Sequence, residues 1–458
     1  MDDVVTIIGG GLAGSEAAWQ LAERGISVRL YEMRPTQQTP VHKSGDLAEL
    51  VCSNSLKSLD ANSASGSLKY ELSVLGSQLM RCAISTRVAA GGALAVDRQA
   101  FGTLVTEGLS THSNIELIRE EFQGLSALLE AQSPCIIATG PLTSTALEKE
   151  LTQLLGSESL AFYDAAAPIV EADSLDTEKL FFQSRYDKQG ADYLNAPLTR
   201  EQYDRLVTEL IDAQRVIPRH FEASELFAAC QPIEEVARKG HDALRYGALK
   251  PVGLIDPVSG RRPWAVVQLR LENNRASAYN LVGFQTNLSF GEQQRVFSLI
   301  PGLEQAVFSR FGVMHRNTFI DSPRALDRGF ALHKYPFIRF AGQITGTEGY
   351  VEAMASGLLA ALNCYASLRK EGPVILPKET LAGSLFSYAT DPATIDYQPM
   401  HVNYGIIEPL ANPPRQKKRR YAAYSARSKA AIEAFREQNG SLSFLPGFDC
   451  PLFATMDI

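Results

Sequence analysis

The chain has 458 residues, 45% of them apolar, and a formal charge of −7. That length suits one large domain with an insertion, or two domains, and the acidic balance argues against a uniformly basic nucleic-acid binder. Its six cysteines are scattered without a CxxC pair, which points away from a zinc site or a disulfide framework.

The first element is Val4 to Ile8, an apolar run suited to a parallel strand buried on both faces. Gly9, Gly11 and Gly14 follow with GxGxxG spacing, and with Gly10 they form the expected nucleotide-binding turn. Gly9 allows the tight turn, Gly11 lets backbone approach a pyrophosphate, and Gly14 lets helix pack closely on strand. A helix is expected over Ser15 to Arg24, stopping at Gly25, with its free N–H groups facing the phosphates. A second strand, Ile26 to Tyr31, delivers Glu32, an acid placed to accept hydrogen bonds from a ribose.

About twenty residues on, Cys52 stands in AELVCSNSL, where a thiol can face a bound cofactor. PCIIATGP (Pro134 to Pro141) reads as a buried strand running into Thr139 and Gly140, close under that cofactor. From about Phe181 to Ser322 the composition shifts toward aromatic and charged residues. Turn signals there separate strand-like pieces at Trp264 to Leu269 and Ala278 to Phe284, so this stretch reads as a mixed α+β insertion. Cys230 lies within it, in ELFAACQPIEEVARKG, where a thiol before Gln-Pro and an acidic helix start reads either as exposed at a bend or as an ordinary buried cysteine. Cys82, Cys135, Cys364 and Cys450 sit in apolar or terminal contexts and read as structural.

Ile338 to Gly357 then gives a strand, a glycine-rich turn with Gly342, Gly346 and Gly349, and a helix of small residues that includes Tyr350. This late strand-turn-helix resembles flavoproteins of the glutathione-reductase type, which implies FAD held from both ends of the sequence. Arg415 to Lys429 carries seven basic residues and no acidic one, with Tyr421 and Tyr424 interleaved: a phosphate-contacting patch or a solvated helix face. No apolar run approaches the roughly 18 residues that span a bilayer. The chain reads as cytoplasmic, without a membrane partner. The expected organisation is 1–180 and 323–410 for the nucleotide-binding α/β fold, 181–322 for the insertion and 411–458 for a basic helical segment.

Longer motifs carry a more specific resemblance. GGGLAGSEAAWQLAERG, AELVCSNSLKS, GGALAVDR, CQPIE, RYGALKPVGL, HRNTFIDSP and GQITGTEGYVE are similar to the bacterial folate- and FAD-dependent tRNA (uracil-5-)-methyltransferases, the TrmFO type, over about Val4 to Pro409. The resemblance implies an FAD-binding Rossmann-like domain with an inserted α+β domain. It implies transfer of a one-carbon unit from 5,10-methylenetetrahydrofolate to C5 of a T-loop uridine in tRNA, giving ribothymidine. NADH or NADPH would supply electrons through the flavin, and no obligate protein partner is implied.

Chemistry of this kind needs a thiolate to add at C6 of uracil before C5 becomes nucleophilic. The resemblance assigns Cys230 to that attack and Cys52, on the flavin side, to the later proton removal or to protecting the flavin; the reverse order stays open. Lys57, Arg245 and Lys250 are the cations expected to assist a thiol, and Tyr350 is expected to stack near the isoalloxazine. Ala229 and Gln231 replace the family's Gly and Met around the second cysteine, and Ala196 replaces a family cysteine. The first departure leaves ribosomal RNA open as the target. Two related readings remain: a wobble-uridine flavoprotein, which needs a partner GTPase and a longer helical C-terminus, and an RNA-binding flavoprotein that assists tRNA folding.

Overall fold

The computed structural model describes residues 4–39, 41–155, 159–165, 167–185, 192–216, 231–272, 276–312, 314–394 and 397–448. Val4–Ile8 is rich in β-branched residues and lies at the centre of a parallel sheet. The strand order is Ile338–Phe340, Cys135–Ile137, Val4–Ile8, Ser27–Tyr31, Ile115–Ile118. A strand from near residue 340 therefore pairs beside one from near residue 136.

The fingerprint helix runs Leu12–Ala22, three residues earlier than the spacing suggested, because Gly11 is its N-cap. The Tyr350–Leu368 helix crosses it at close range: a Cβ on Gly357 would stand 2.2 Å from the Ala13 carbonyl oxygen. Small residues on both helices permit that approach. By length and apolarity Tyr350–Leu368 could cross a membrane, which corrects the expectation that no run comes near that length. Inside the protein 89% of the window is buried, so its apolar surface serves the core.

A second sheet is antiparallel, in the order Phe181–Phe182, Tyr193–Leu198, Ala265–Leu271, Ala278–Leu281, Ile169–Glu171, Phe308–Arg310. It takes in Ile169–Glu171, which precede residue 181. Helix Arg200–Asp212 lays Tyr203, Leu206, Val207 and Leu210 into this unit, an i, i+3, i+4, i+7 stripe. Thr199 and Gln202 close a capping box at its start. Ser159–Ala165 and Met314–Ile320 pair antiparallel where the chain passes toward this unit and returns.

Among the described residues, buried apolar side chains form one large cluster around the parallel sheet and another around the antiparallel one. The basic segment forms helix Lys417–Gln438. Ser425, Ser428, Ile432 and Phe435 bury one side of it, and Ser428 donates to the buried Glu71 carboxylate of helix Ala64–Leu75. Glu71 also accepts the Leu381 and Ala382 N–H groups, so it joins three helices.

Candidate active site

Two adjoining cavities open at the C-terminal ends of the parallel strands. The smaller, about 570 Å³, is lined by Gly9, Gly11, Glu32, Arg34, His42 and Thr139 among others. The larger, about 1540 Å³, shares Gly11, His42 and Thr139 and continues past Gly140 and Gly342 to Cys52, Gly349 and Tyr350. The shared residues make a trough from Glu32 to Cys52.

The glycines divide by what they do. Gly9, at φ 103°, would press a Cβ 2.6 Å from the Ala138 carbonyl oxygen, and a Cβ on Gly14 would fall 1.8 Å from the Gly9 oxygen. These two set the turn and the helix packing. A Cβ on Gly11 would meet nothing within 4 Å and would project into the trough, as expected where a ligand backbone must come close. Gly10 and Gly346 support from behind, crowded by Leu47 and by the Tyr397 hydroxyl.

Both helices that face the trough start without a side-chain cap among the described residues, at Gly11 and at Gly349. Their first N–H groups and positive dipole ends therefore favour an anionic or carbonyl-bearing ligand. The residues fit a dinucleotide on this ground.

Glu32 is buried and turned inward as well as toward the trough. One oxygen accepts the Gly10 N–H at 2.9 Å, and the other accepts the Arg34 N–H at 3.0 Å and Nε at 2.8 Å. Burial pushes its carboxyl up, but the Arg34 hydrogen bonds and charge outweigh this and hold it below the usual range. His42, on Thr39 Oγ1 at 2.6 Å, is driven down to about 4 by burial and then by Arg34, so its imidazole is neutral at pH 7.

Cys52 is half-buried on a loop held from both sides. The Tyr350 hydroxyl accepts the Cys52 N–H at 2.7 Å and the Ser53 N–H at 3.1 Å. Arg98 donates to the Leu50 carbonyl at 2.8 Å and reaches the Cys52 carbonyl at 3.5 Å. Arg310, from the second sheet, donates to the Val51 carbonyl and to Val41 at 3.1 Å. Burial, and then the neighbouring Cys52, pushes the Tyr350 phenol far above its ordinary value, so it stays protonated. Asn54 completes the frame, donating to Val96, Leu271 and Glu272 carbonyls and accepting from Arg270.

Of the cations expected to assist, Lys57 lines the cavity but its ammonium is on Glu352 at 3.2 Å. Arg245 is spent on the Trp264 ring, 3.7 Å from the centroid, and on Asp242. Among the described residues, Lys250 is engaged through its carbonyl, which accepts from Arg185. Arg98 and Arg310 hold the position beside Cys52 instead; Arg98 lay within the GGALAVDR motif, whereas Arg310 had no local signal. Cys82, Cys135 and Cys364 are buried. Cys230 and Cys450 lie outside the described residues.

A family model described as glucose inhibited division protein A matches residues 4–372. A relative from Desulfitobacterium hafniense, named methylenetetrahydrofolate–tRNA-(uracil-5-)-methyltransferase TrmFO, is 50% identical, the match covering 95% of this chain and 99% of the relative. The chain belongs to the TrmFO-type branch of the GidA family. A second relative of the same name, from Moorella thermoacetica, is 51% identical over 96% of this chain and all of its own length.

The family fold is shown independently by the structure of Aquifex aeolicus GidA. It superposes with a TM-score of 0.69 at 14% identity, over 97% of this chain and 74% of that one. The fold is thus the FAD-binding Rossmann-like α/β type carrying an inserted unit, as the sequence motifs implied.

Proposed function

We propose that this protein methylates C5 of a T-loop uridine in tRNA to ribothymidine, taking the carbon from 5,10-methylenetetrahydrofolate, with FAD reduced by NADH or NADPH. The observation that carries the reading is the trough itself: it runs from the glycine fingerprint to Cys52 between two uncapped helix N-termini. The names of its close relatives supply the folate and the tRNA uracil.

The residues that would hold FAD are Gly9, Gly11, Glu32, Thr139, Gly140, Gly342, Gly349 and Tyr350, with Gly10, Gly14 and Gly346 shaping the backbone behind them. When bound, the flavin supplies the redox step and carries the one-carbon unit.

The chain supplies the thiols and their setting. A thiolate, assigned to Cys230, adds at C6 of uracil and moves electron density to C5, which bonds to the one-carbon unit. The C5 proton then leaves to a base as the bond from the one-carbon unit to its carrier breaks; a hydride, which the reduced cofactor would supply, converts the exocyclic methylene to methyl, and the C6–S bond breaks to release the thiolate. Cys52 is assigned to that proton removal. Its loop is fixed by Tyr350, and the Arg310 guanidinium, which interacts electrostatically with Cys52, favours a thiolate there, while Arg98 braces the loop backbone and is ion-paired with Glu272.

RNA docking is assigned to the 181–322 unit and to Lys417, Lys418 and Arg419, which are exposed on the C-terminal helix. Tyr424 stacks on Tyr404 with centroids 5.3 Å apart, which ties the helix to the segment that carries Tyr404.

The test combines purified protein, unmodified tRNA transcript, labelled methylenetetrahydrofolate and NADH. Label in the T-loop uridine is expected; its absence overturns the reading. Cys230→Ala with full activity would overturn the nucleophile assignment. Lys/Arg→Ala changes at 417–419 are expected to weaken tRNA binding and to make its salt dependence shallower, by close to one log unit for each phosphate that is no longer neutralised.

A further inference from the structure

Charged side chains from both units meet where the Cys52 loop touches the antiparallel sheet. Arg98 belongs to the parallel-sheet side, at the start of helix Arg98–Ser110. Arg270, Glu272 and Arg310 come from the antiparallel unit, at the ends of strands Ala265–Leu271 and Phe308–Arg310. Arg98 Nε pairs with Glu272, and the two side chains are 14% and 9% exposed. Arg270 is buried and donates to Asn54 Oδ1 at 2.9 Å. The Asn54 amide donates in return to the Leu271 and Glu272 carbonyls, at 2.8 and 3.3 Å. Arg310 donates to the Val51 carbonyl, next to the thiol in sequence.

One carboxylate therefore faces three guanidiniums, Arg98, Arg270 and Arg310, and Arg310 in turn faces Cys52. Charges this poorly hydrated act over several ångströms. Their sum is positive, which favours a thiolate, and Glu272 offsets part of it. Asp97, the other acid facing Glu272, is occupied in capping helix Arg98–Ser110. The remaining titratable groups on the Cys52 cavity are engaged elsewhere or uncharged: Glu49 is tied to Arg34, Lys57 to Glu352 and Glu348 to Gln343, while His42 is neutral and Tyr350 protonated. Beside the cluster, Arg98, Glu272 and Arg310 line a groove of about 2170 Å³ whose walls come from both units. With that groove open, the strand ends at Asn54 and Val51 carry the contact between the antiparallel sheet and the thiol loop.

We propose that Arg310 and Glu272 set the acidity of Cys52 from the antiparallel unit: Arg310 favours the thiolate, Glu272 opposes it, and the charge of the thiol follows how that unit seats on the loop. Both are positioning residues that act through Cys52, and neither is assigned a contact with the base. The inference rests on the methyltransferase reading only for the task given to the thiolate.

The experiment measures the rate of iodoacetamide alkylation of Cys52 against pH in the full chain, with its site read by mass spectrometry of the Cys52 peptide. Flavin content and Tm are followed on the same samples. The wild-type thiol is expected to titrate below the ordinary value of about 8.5. Glu272→Gln, which keeps the shape and removes the charge, is expected to lower that midpoint further, and Arg310→Gln to raise it, each by about one pH unit. Arg310→Lys keeps the charge and is expected to stay near wild type. A merely structural role predicts otherwise: loosening the loop hydrates the thiol, and both Gln variants drift upward to the ordinary value. A wild-type midpoint at or above that value, both Gln variants moving in the same direction, or Arg310→Lys behaving as Arg310→Gln overturns the proposal. Should Arg310→Gln fail to fold, Glu272→Gln alone decides, because loosening does not produce a downward shift. Methyl transfer is scored separately, so its absence overturns the activity reading and leaves the titration standing.

Discussion

Three polar clusters of the antiparallel unit and the two helix starts at the trough are partnered in opposite ways. Around the antiparallel sheet they close on one another. Thr199 and Gln202 cap reciprocally, Glu234 takes the Asn287 N–H and the Thr286 hydroxyl, and Asn195 spans the carbonyls of Phe181, Gln183 and Tyr193. Around the parallel sheet, the two helices that face the trough begin at glycines with no side-chain cap among the described residues. The first pattern makes a scaffold; the second leaves donors for a ligand to satisfy.

The contrast breaks most visibly at the glycines. Gly14→Ala places a methyl 1.8 Å from the Gly9 carbonyl oxygen, a backbone clash at or above the top of the roughly 1–3 kcal/mol overpacking range. A large fall in Tm and loss of bound flavin are expected. Gly11→Ala meets open space, so thermal unfolding of the ligand-free protein should hardly change while flavin retention falls. Equal effects of the two changes would remove the distinction between packing glycine and ligand glycine.

Next in size, Tyr350→Phe deletes the acceptor for the Cys52 and Ser53 N–H groups. Each stranded donor costs about 1–3 kcal/mol if it stays buried. Methyl transfer should fall by at least tenfold, with flavin content largely retained.

Thr199→Ala tests the closed unit. It should lower stability by about 1 kcal/mol in a denaturant titration and leave flavin affinity unchanged.

The smallest effect concerns the junction at Glu71. Burial raises its carboxyl to about 7, against the hydrogen bonds from Ser428, Ala382 and Leu381. An acid raised on folding contributes stability that is complete below its unfolded value, near 4.5, and is lost as pH rises through about 7. Amide protection around Ser428, corrected for intrinsic exchange, should therefore be modestly higher at pH 6 than at pH 8. In Glu71→Gln the difference should vanish.

What was legible in the sequence was what is local. The strand, glycines, helix and second strand around Val4 to Glu32 follow from spacing, with the helix start moved to Leu12 because Gly11 serves as the N-cap. The helical nature of the basic segment was also readable. Its burial was not, because Ser425 and Ser428 find their partners at Ala61 and Glu71. The surroundings of Cys52 were the least legible. Arg98, Arg310 and Tyr350 reach its loop from three distant segments, and no periodicity records that meeting. Glu32 showed an acid at the right place but not its partnership with Arg34, which depends on how the next turn folds back.

The hydrogen bond from Cys52 to Tyr350 spans 298 positions of sequence. At ribosomal speeds of roughly 5–20 residues per second, about 15–60 s separate synthesis of the thiol from synthesis of the phenol that fixes it. For most of that interval the edge strand Ile338–Phe340 has not been made, and the Tyr350–Leu368 helix only begins at its end. Assembly of the trough therefore waits for residues beyond 340, and a protein truncated before residue 350 keeps the glycine fingerprint and the Arg98 and Arg310 contacts but lacks the Tyr350 anchor of the Cys52 loop.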